Sequence, residues 1–228
     1  MKRIVLSSAI LTLASLSFAQ QENCTTTLKF LATSAGNNVK MSYNGGNSFQ
    51  SVFGGLLRMK LVENNVASEI FGYCADVKTN MASGAQCYSR STSNDLGEGG
   101  KWAAYLINKY AGGVLSESNA QVRNDKGMAL QLVVWEALTE ESGAYNLAQG
   151  NFRAKSSSGG NFTTAQKTLI DNYMADRGES VATYFKAALD NCEKPVSQGI
   201  LTPVPEPTTI GALSIGALAL IRRRKSAR

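Results

Sequence analysis

The sequence contains no histidine, and that absence removes much hydrolytic chemistry at once. A Ser-His-Asp triad or a Cys-His pair needs an imidazole to take the nucleophile's proton, and a His-bearing zinc site needs one as ligand. Neither can be built from this chain. A Gly-rich phosphate loop and a calcium-loop spacing are also missing. Paired carboxylates of the glycan-hydrolase kind are available in number, but no constellation of them stands out. We therefore expect no catalytic residues, no cofactor and no metal, and read the chain as a non-enzyme.

The second scarcity is of long apolar runs. The C-terminal run, residues 210–221, holds 12 residues, which as a helix reach only ~18 Å of the ~30 Å hydrocarbon core. It is a poor permanent span, suited to a transient membrane stop. The N-terminus differs: Lys2 and Arg3 precede an apolar run from Ile4, with small residues Ser17 and Ala19 near its end. That order is a secretory signal peptide, residues 1–19. The net charge of +6 belongs to these ends: residues 1–19 and 208–228 hold seven of the 23 bases and no acid, leaving 16 bases against 17 acids, a net −1. Nothing in that balance argues for nucleic acid.

What is present is a chain of 228 residues, long enough for one domain with a sizeable core. From Cys24 to Val77, the runs TTTLKFLA, VKMSY, LLRMKLV and EIFGYCADV are separated by SAGNN, NGGN and ENN. Alternation with Gly/Asn punctuation predicts strands and tight turns. From Gly100 the period becomes helical. KWAAYLINKYAGG carries a stripe of Ala103, Leu106, Ile107 and Tyr110. ALQLVVWEAL follows a cap at Asn124 or Asp125 and ends before Gly143. FTTAQKTLIDNYMADRG opens on a Thr163–Gln166 capping box. In residues 179–192, Val181, Tyr184, Phe185, Ala188, Leu189 and Cys192 recur at helical spacing. These elements predict an α+β fold, a single domain over residues 20–192 with a β-rich N-terminal part packed against a helical C-terminal part. STSNDLGEGG and AKSSSGG read as surface loops, and residues 193–203 as an extended linker.

Four cysteines in an exported chain suggest disulfides. Cys24 with Cys192 would join the two ends of the domain, leaving Cys74 with Cys87. On the ALQLVVWEAL helix, Gln131 shares an apolar stripe with Val134, Trp135 and Leu138. A buried amide there must be satisfied by hydrogen bonds, for instance to a nearby strand end. Asp76 and Glu136 flank these positions and read as solvated carboxylates.

Two resemblances sharpen this reading. Val204, Pro205, Glu206 and Pro207, then the short apolar segment, then Arg222, Arg223, Arg224 and Lys225 resemble the PEP-CTERM sorting signal, over residues 204–228. That resemblance implies an exported protein of an exopolysaccharide-producing bacterium. It further implies handling by an exosortase, transient membrane anchoring through the C-terminus, and a final location at the cell surface or in the extracellular matrix. The second is to the thioester domains of bacterial surface adhesins, which join an aromatic-Cys motif on a strand to a Gln-x-x-[Ile/Val]-Trp motif on a helix. Tyr73 and Cys74 match the first motif; Gln131, Val134 and Trp135 match the second, with Leu130 and Val133 where the family has Thr and Ala. This resemblance implies a Cys74–Gln131 thioester that an amine or hydroxyl of a partner surface or polysaccharide would open. With Cys74 acylated, Cys24 and Cys192 remain to pair and Cys87 is left over; with Cys74 and Cys87 paired, no thioester forms. The two expectations are thus a covalently attaching surface protein or a passive, disulfide-stabilised component of the matrix or biofilm.

Overall fold

The computed structural model describes residues 24–140, 145–190 and 192–204. The expected signal peptide and nearly all of the sorting signal, Pro205, Glu206 and Pro207 included, lie outside these residues. Among the described residues no helix is long and apolar enough to cross a membrane.

The described residues form an α+β fold with seven strands and three α-helices. Strand β1 (Thr26–Ser42) folds back on β2 (Gln50–Glu63), and β2 on β3 (Val66–Cys74). The second of these turns is Asn64–Asn65, both with positive φ (51° and 64°), the conformation a two-residue hairpin demands and that Asn tolerates better than most residues. NGGN and ENN are turns as expected. SAGNN is not: it runs inside β1, where irregularities at Phe30/Ala32 and Thr33/Ala35 let the long strand bend.

Next come β4 (Ala85–Thr92), a 3-10 turn (Ser93–Leu96), α1 (Gly97–Leu115), α2 (Ala120–Thr139), β5 (Arg153–Ser156), α3 (Thr164–Ala175), β6 (Thr183–Ala187) and β7 (Ile200–Thr202). The sheet order is β2-β3-β7-β6-β4-β1-β5, and β1 also pairs with β2. Six strands therefore close into an antiparallel ring, and β5 adds to the far end of β1. Closure leaves few edges for another chain to pair with.

The helix read over residues 179–192 is instead strand β6, since Tyr184, Phe185 and Ala188 fit a short strand as well as a helix, and pairing with β4 and β7 decides between them. The linker read over residues 193–203 contains β7, whose three residues are all buried between β3 and β6. The α+β fold is as expected, with β1 to β4 preceding all three helices; β5, β6 and β7 are added from the second half. Of the two stretches read as loops, AKSSSGG holds most of β5, and STSNDLGEGG holds the end of β4, the 3-10 turn and the start of α1. The Thr163–Gln166 capping box is present as read.

Helix α2 is the centre of the core. Its cap is Asn119, whose side chain accepts from the N–H groups of Gln121 and Val122, so the helix begins about a turn and a half earlier than the expected cap at Asn124 or Asp125. Every residue from Gly127 to Ala137 is buried, so the helix is enclosed on all faces rather than along a stripe. It packs against α1, α3, β1 and β2, and touches β3. Gly127 allows the closest approach: a Cβ there would meet the Ala35 carbonyl oxygen at 2.2 Å. Asp125, a turn into the helix, accepts from the amides of Asn37, Gln121 and Gln166, tying β1 and α3 to α2.

Candidate functional site

Cys74 is the last residue of β3, where the ladder runs out on one side. The register with β2 ends at Leu57–Gly72, while on the other side Cys74 stays paired with Ile200 of β7. The Cys74 N–H and C=O facing the lost β2 neighbour are buried and need partners. Gln131 of α2 supplies both: the Cys74 N–H donates to Gln131 Oε1 at 2.9 Å, and Gln131 Nε2 donates to the Cys74 carbonyl at 2.9 Å. Gln131 is fully buried. Both polar atoms of the Gln131 amide are thus engaged on the Cys74 backbone at the strand end.

The thiol has a different neighbour. Cys74 Sγ donates to the side-chain Oε1 of Gln198 at 2.6 Å. Gln198 is held there from several sides. Its backbone carbonyl accepts from the Tyr88 hydroxyl (3.0 Å), Ser197 Oγ accepts from the Ala82 N–H (3.1 Å), and the Gly199 carbonyl accepts from the Ala75 N–H (2.8 Å). Adding one carbonyl bond of ~1.23 Å puts the Gln198 amide carbon no farther than ~3.8 Å from the sulfur. A near-attack separation is ~3–3.5 Å. The sequence reading missed Gln198 because it sits in the supposed linker. The available signal was a polar residue immediately ahead of the β-prone Ile200, Leu201 and Thr202.

Burial pushes the Cys74 thiol up to about 12, with the Asp76 charge adding to it, so the sulfur is a protonated thiol at neutral pH. The Asp76 carboxylate is turned onto the Lys78 N–H (2.7 Å). Of the remaining motif residues, Val134 is fully enclosed in the core and Trp135 is 2% exposed. Tyr73 is also fully buried, and burial raises its phenol. Among the described residues the Tyr73 hydroxyl and the Trp135 indole N–H have no hydrogen-bond partner.

The disulfide differs from both expected pairings. Cys24 is joined to Cys87, with Cα atoms 5.7 Å apart; neither Cys24–Cys192 nor Cys74–Cys87 forms. The strand register explains it, because β4 lies beside the start of β1 with Cys87 opposite Thr27, which brings Cys87 to Cys24. Cys74 is a buried free thiol and Cys192 an exposed one. Glu136 is also corrected: far from solvated, it is 1% exposed, and its Oε1 accepts from the Asn146 N–H. Burial holds its carboxyl up at about 7.

Comparison with known proteins bears on the C-terminus alone. Residues 203–225 match the PEP-CTERM protein-sorting motif. That motif marks an exported protein with a C-terminal sorting segment, handled by an exosortase. No curated protein and no solved structure matches the chain.

Proposed function

We infer that the exported chain is a surface or matrix protein that attaches covalently, once, to a partner through an internal thioester of Cys74, and that Gln198 rather than Gln131 supplies the acyl group. The observation that carries this reading is the Cys74 thiol lying against the Gln198 side-chain amide while both polar atoms of the Gln131 amide are engaged on the Cys74 backbone. Gln131 is then a clamp that fixes the sulfur's position.

In forming the bond, the Cys74 sulfur attacks the Gln198 amide carbon, the thiol proton passes to the departing nitrogen, and ammonia leaves. An amine or hydroxyl of the partner later attacks the same carbon. Its proton ends on the sulfur, and the partner stays bound to residue 198. The chain is consumed rather than turned over, so it is not an enzyme. The Cys24–Cys87 disulfide removes the one cysteine near enough in sequence to compete for Cys74. The Cys74 side of the bond is buried, which limits attack by water, while the Gln198 side is half-buried and open to an incoming nucleophile.

Intact mass of the unreduced chain tests it. The expected mass is lower than the sequence mass by one ammonia beyond the two hydrogens lost to the Cys24–Cys87 disulfide, with Cys74 blocked to alkylation after unfolding and freed by methylamine. Gln198→Ala abolishes the ammonia deficit relative to its own sequence mass. A deficit that survives Gln198→Ala and vanishes in Gln131→Ala would return the acyl role to Gln131. A wild-type chain of full mass, with Cys74 alkylated on unfolding, would leave the passive matrix component.

A further inference from the structure

Above the Cys74 thiol opens a cleft of about 260 Å³, bounded by β1, β2, the segment after β3, Trp135 and Gln198. The volume is below the ~300–1,000 Å³ of pockets for drug-sized ligands, so it takes about one ring or one side chain. None of the side chains lining it carries a charge. Phe30 and Phe53 contribute half-buried aromatic surface and Trp135 only a small exposed edge, Gln50 and Asn80 contribute amides, and Cys74 and Gln198 lie in the same wall. The Trp135 indole N–H is buried and has no partner among the described residues.

We propose that this cleft receives a neutral sugar unit and presents one of its hydroxyls to the acyl group at Cys74, so that the partner is an uncharged polysaccharide joined through an ester. This rests on the thioester reading for its covalent step, but the binding step stands on the cleft alone. A sugar ring matches the lining group by group. Its hydroxyls both donate and accept, as the Gln50 and Asn80 amides do, and its apolar face suits aromatic walls with a few well-placed polar groups. A lysine ammonium or a polyamine finds no such match. It would bring a charge into a site without a carboxylate, and a desolvated charge without a counter-ion is strongly disfavoured. The nearest acid in sequence, Asp76, is outside the lining and accepts from the Lys78 N–H. The reaction balances without a further reagent: the hydroxyl oxygen bonds the acyl carbon, the carbon–sulfur bond breaks, and the hydroxyl proton ends on the Cys74 sulfur.

Two measurements test the proposal separately from the thioester. In the Cys74→Ala chain, which cannot acylate, calorimetric titration is made with cellohexaose, mannohexaose and chitohexaose, and with spermidine and an N-acetyl-lysine amide. At least one sugar should bind about tenfold more tightly than either amine, and Phe53→Ala or Asn80→Ala in that background should weaken it severalfold. In the wild-type chain the same probes are followed by intact mass, and the sugar that binds should add its full mass to the chain. No sugar binding, or preferential binding of the amines, would overturn the assignment. Ammonia loss with amine adducts alone would keep the thioester and discard the sugar; sugar binding with no ammonia loss would keep the cleft and discard the thioester.

Discussion

Gln131 stands beside Cys74 as a neighbouring strand would, accepting from its N–H and donating to its C=O, both at 2.9 Å. A helix side chain thus completes a sheet ladder at the point where β2 has turned away. Replacing it by Met keeps the size and removes both bonds, leaving two buried backbone groups unpaired. We expect Gln131→Met to cost at least about 2 kcal/mol, read as a lower midpoint in urea. A change below about 0.5 kcal/mol would mean that the Cys74 backbone finds other partners.

The cysteines should separate by reagent. Cys192 is exposed and Cys74 is buried with its thiol held protonated. Native, unreduced protein at pH 8 should therefore take one iodoacetamide label, at Cys192. Cys24 and Cys87 should label only after reduction, together. Peptide mapping checks both statements, and a native label on Cys74 would contradict its burial.

Glu136 makes stability depend on pH. Its carboxyl sits at about 7 in the fold against an ordinary 4.5, so the folded chain holds this proton more tightly than the unfolded one. The sign follows: stability from this group is full below its ordinary value and falls as pH rises to about 7. The loss levels off above that at roughly 3 kcal/mol. Glu136→Gln keeps an oxygen for the Asn146 N–H and removes the charge. Thermal melts at pH 5 and pH 8 should show the variant near wild type at the lower pH and clearly more stable at the higher.

Gly127 sets how closely α2 lies on β1. An added methyl would overlap the Ala35 carbonyl oxygen, and neither backbone can move without the other. Gly127→Ala should destabilise by roughly 1–3 kcal/mol despite the better helix propensity of Ala. If the thioester forms, the displaced helix should also slow its appearance, followed as ammonia loss in a refolding time course.

Much of the local structure was legible because local chemistry decides it. Asn64–Asn65 demanded a turn, and Thr163 and Gln166 a helix start; that Cys74 and Gln131 would face each other came only from a resemblance, not from local pattern. The misreadings share one cause. Tyr184 and Phe185 fit two periods equally, and only pairing with β4 and β7 makes them a strand. Ile200, Leu201 and Thr202 are too few to announce a strand, and Pro195, Ser197 and Gly199 around them have linker composition. Gln198 was lost with that segment, because its partner lies 124 positions earlier. The Cys24–Cys87 pairing likewise follows from the register of β1 with β4, which spacing between cysteines does not encode.

The ring of strands also sets an order of events. Its last member to be made, β7, ends at Thr202, and the matched sorting motif starts at residue 203. Even Val204 is still tied down, its N–H donating to Asn108 of α1. There is almost no slack between the finished barrel and the segment the exosortase handles. Gln198 lies just ahead of β7, so the amide that meets the Cys74 sulfur is supplied by almost the last segment of the domain in chain order.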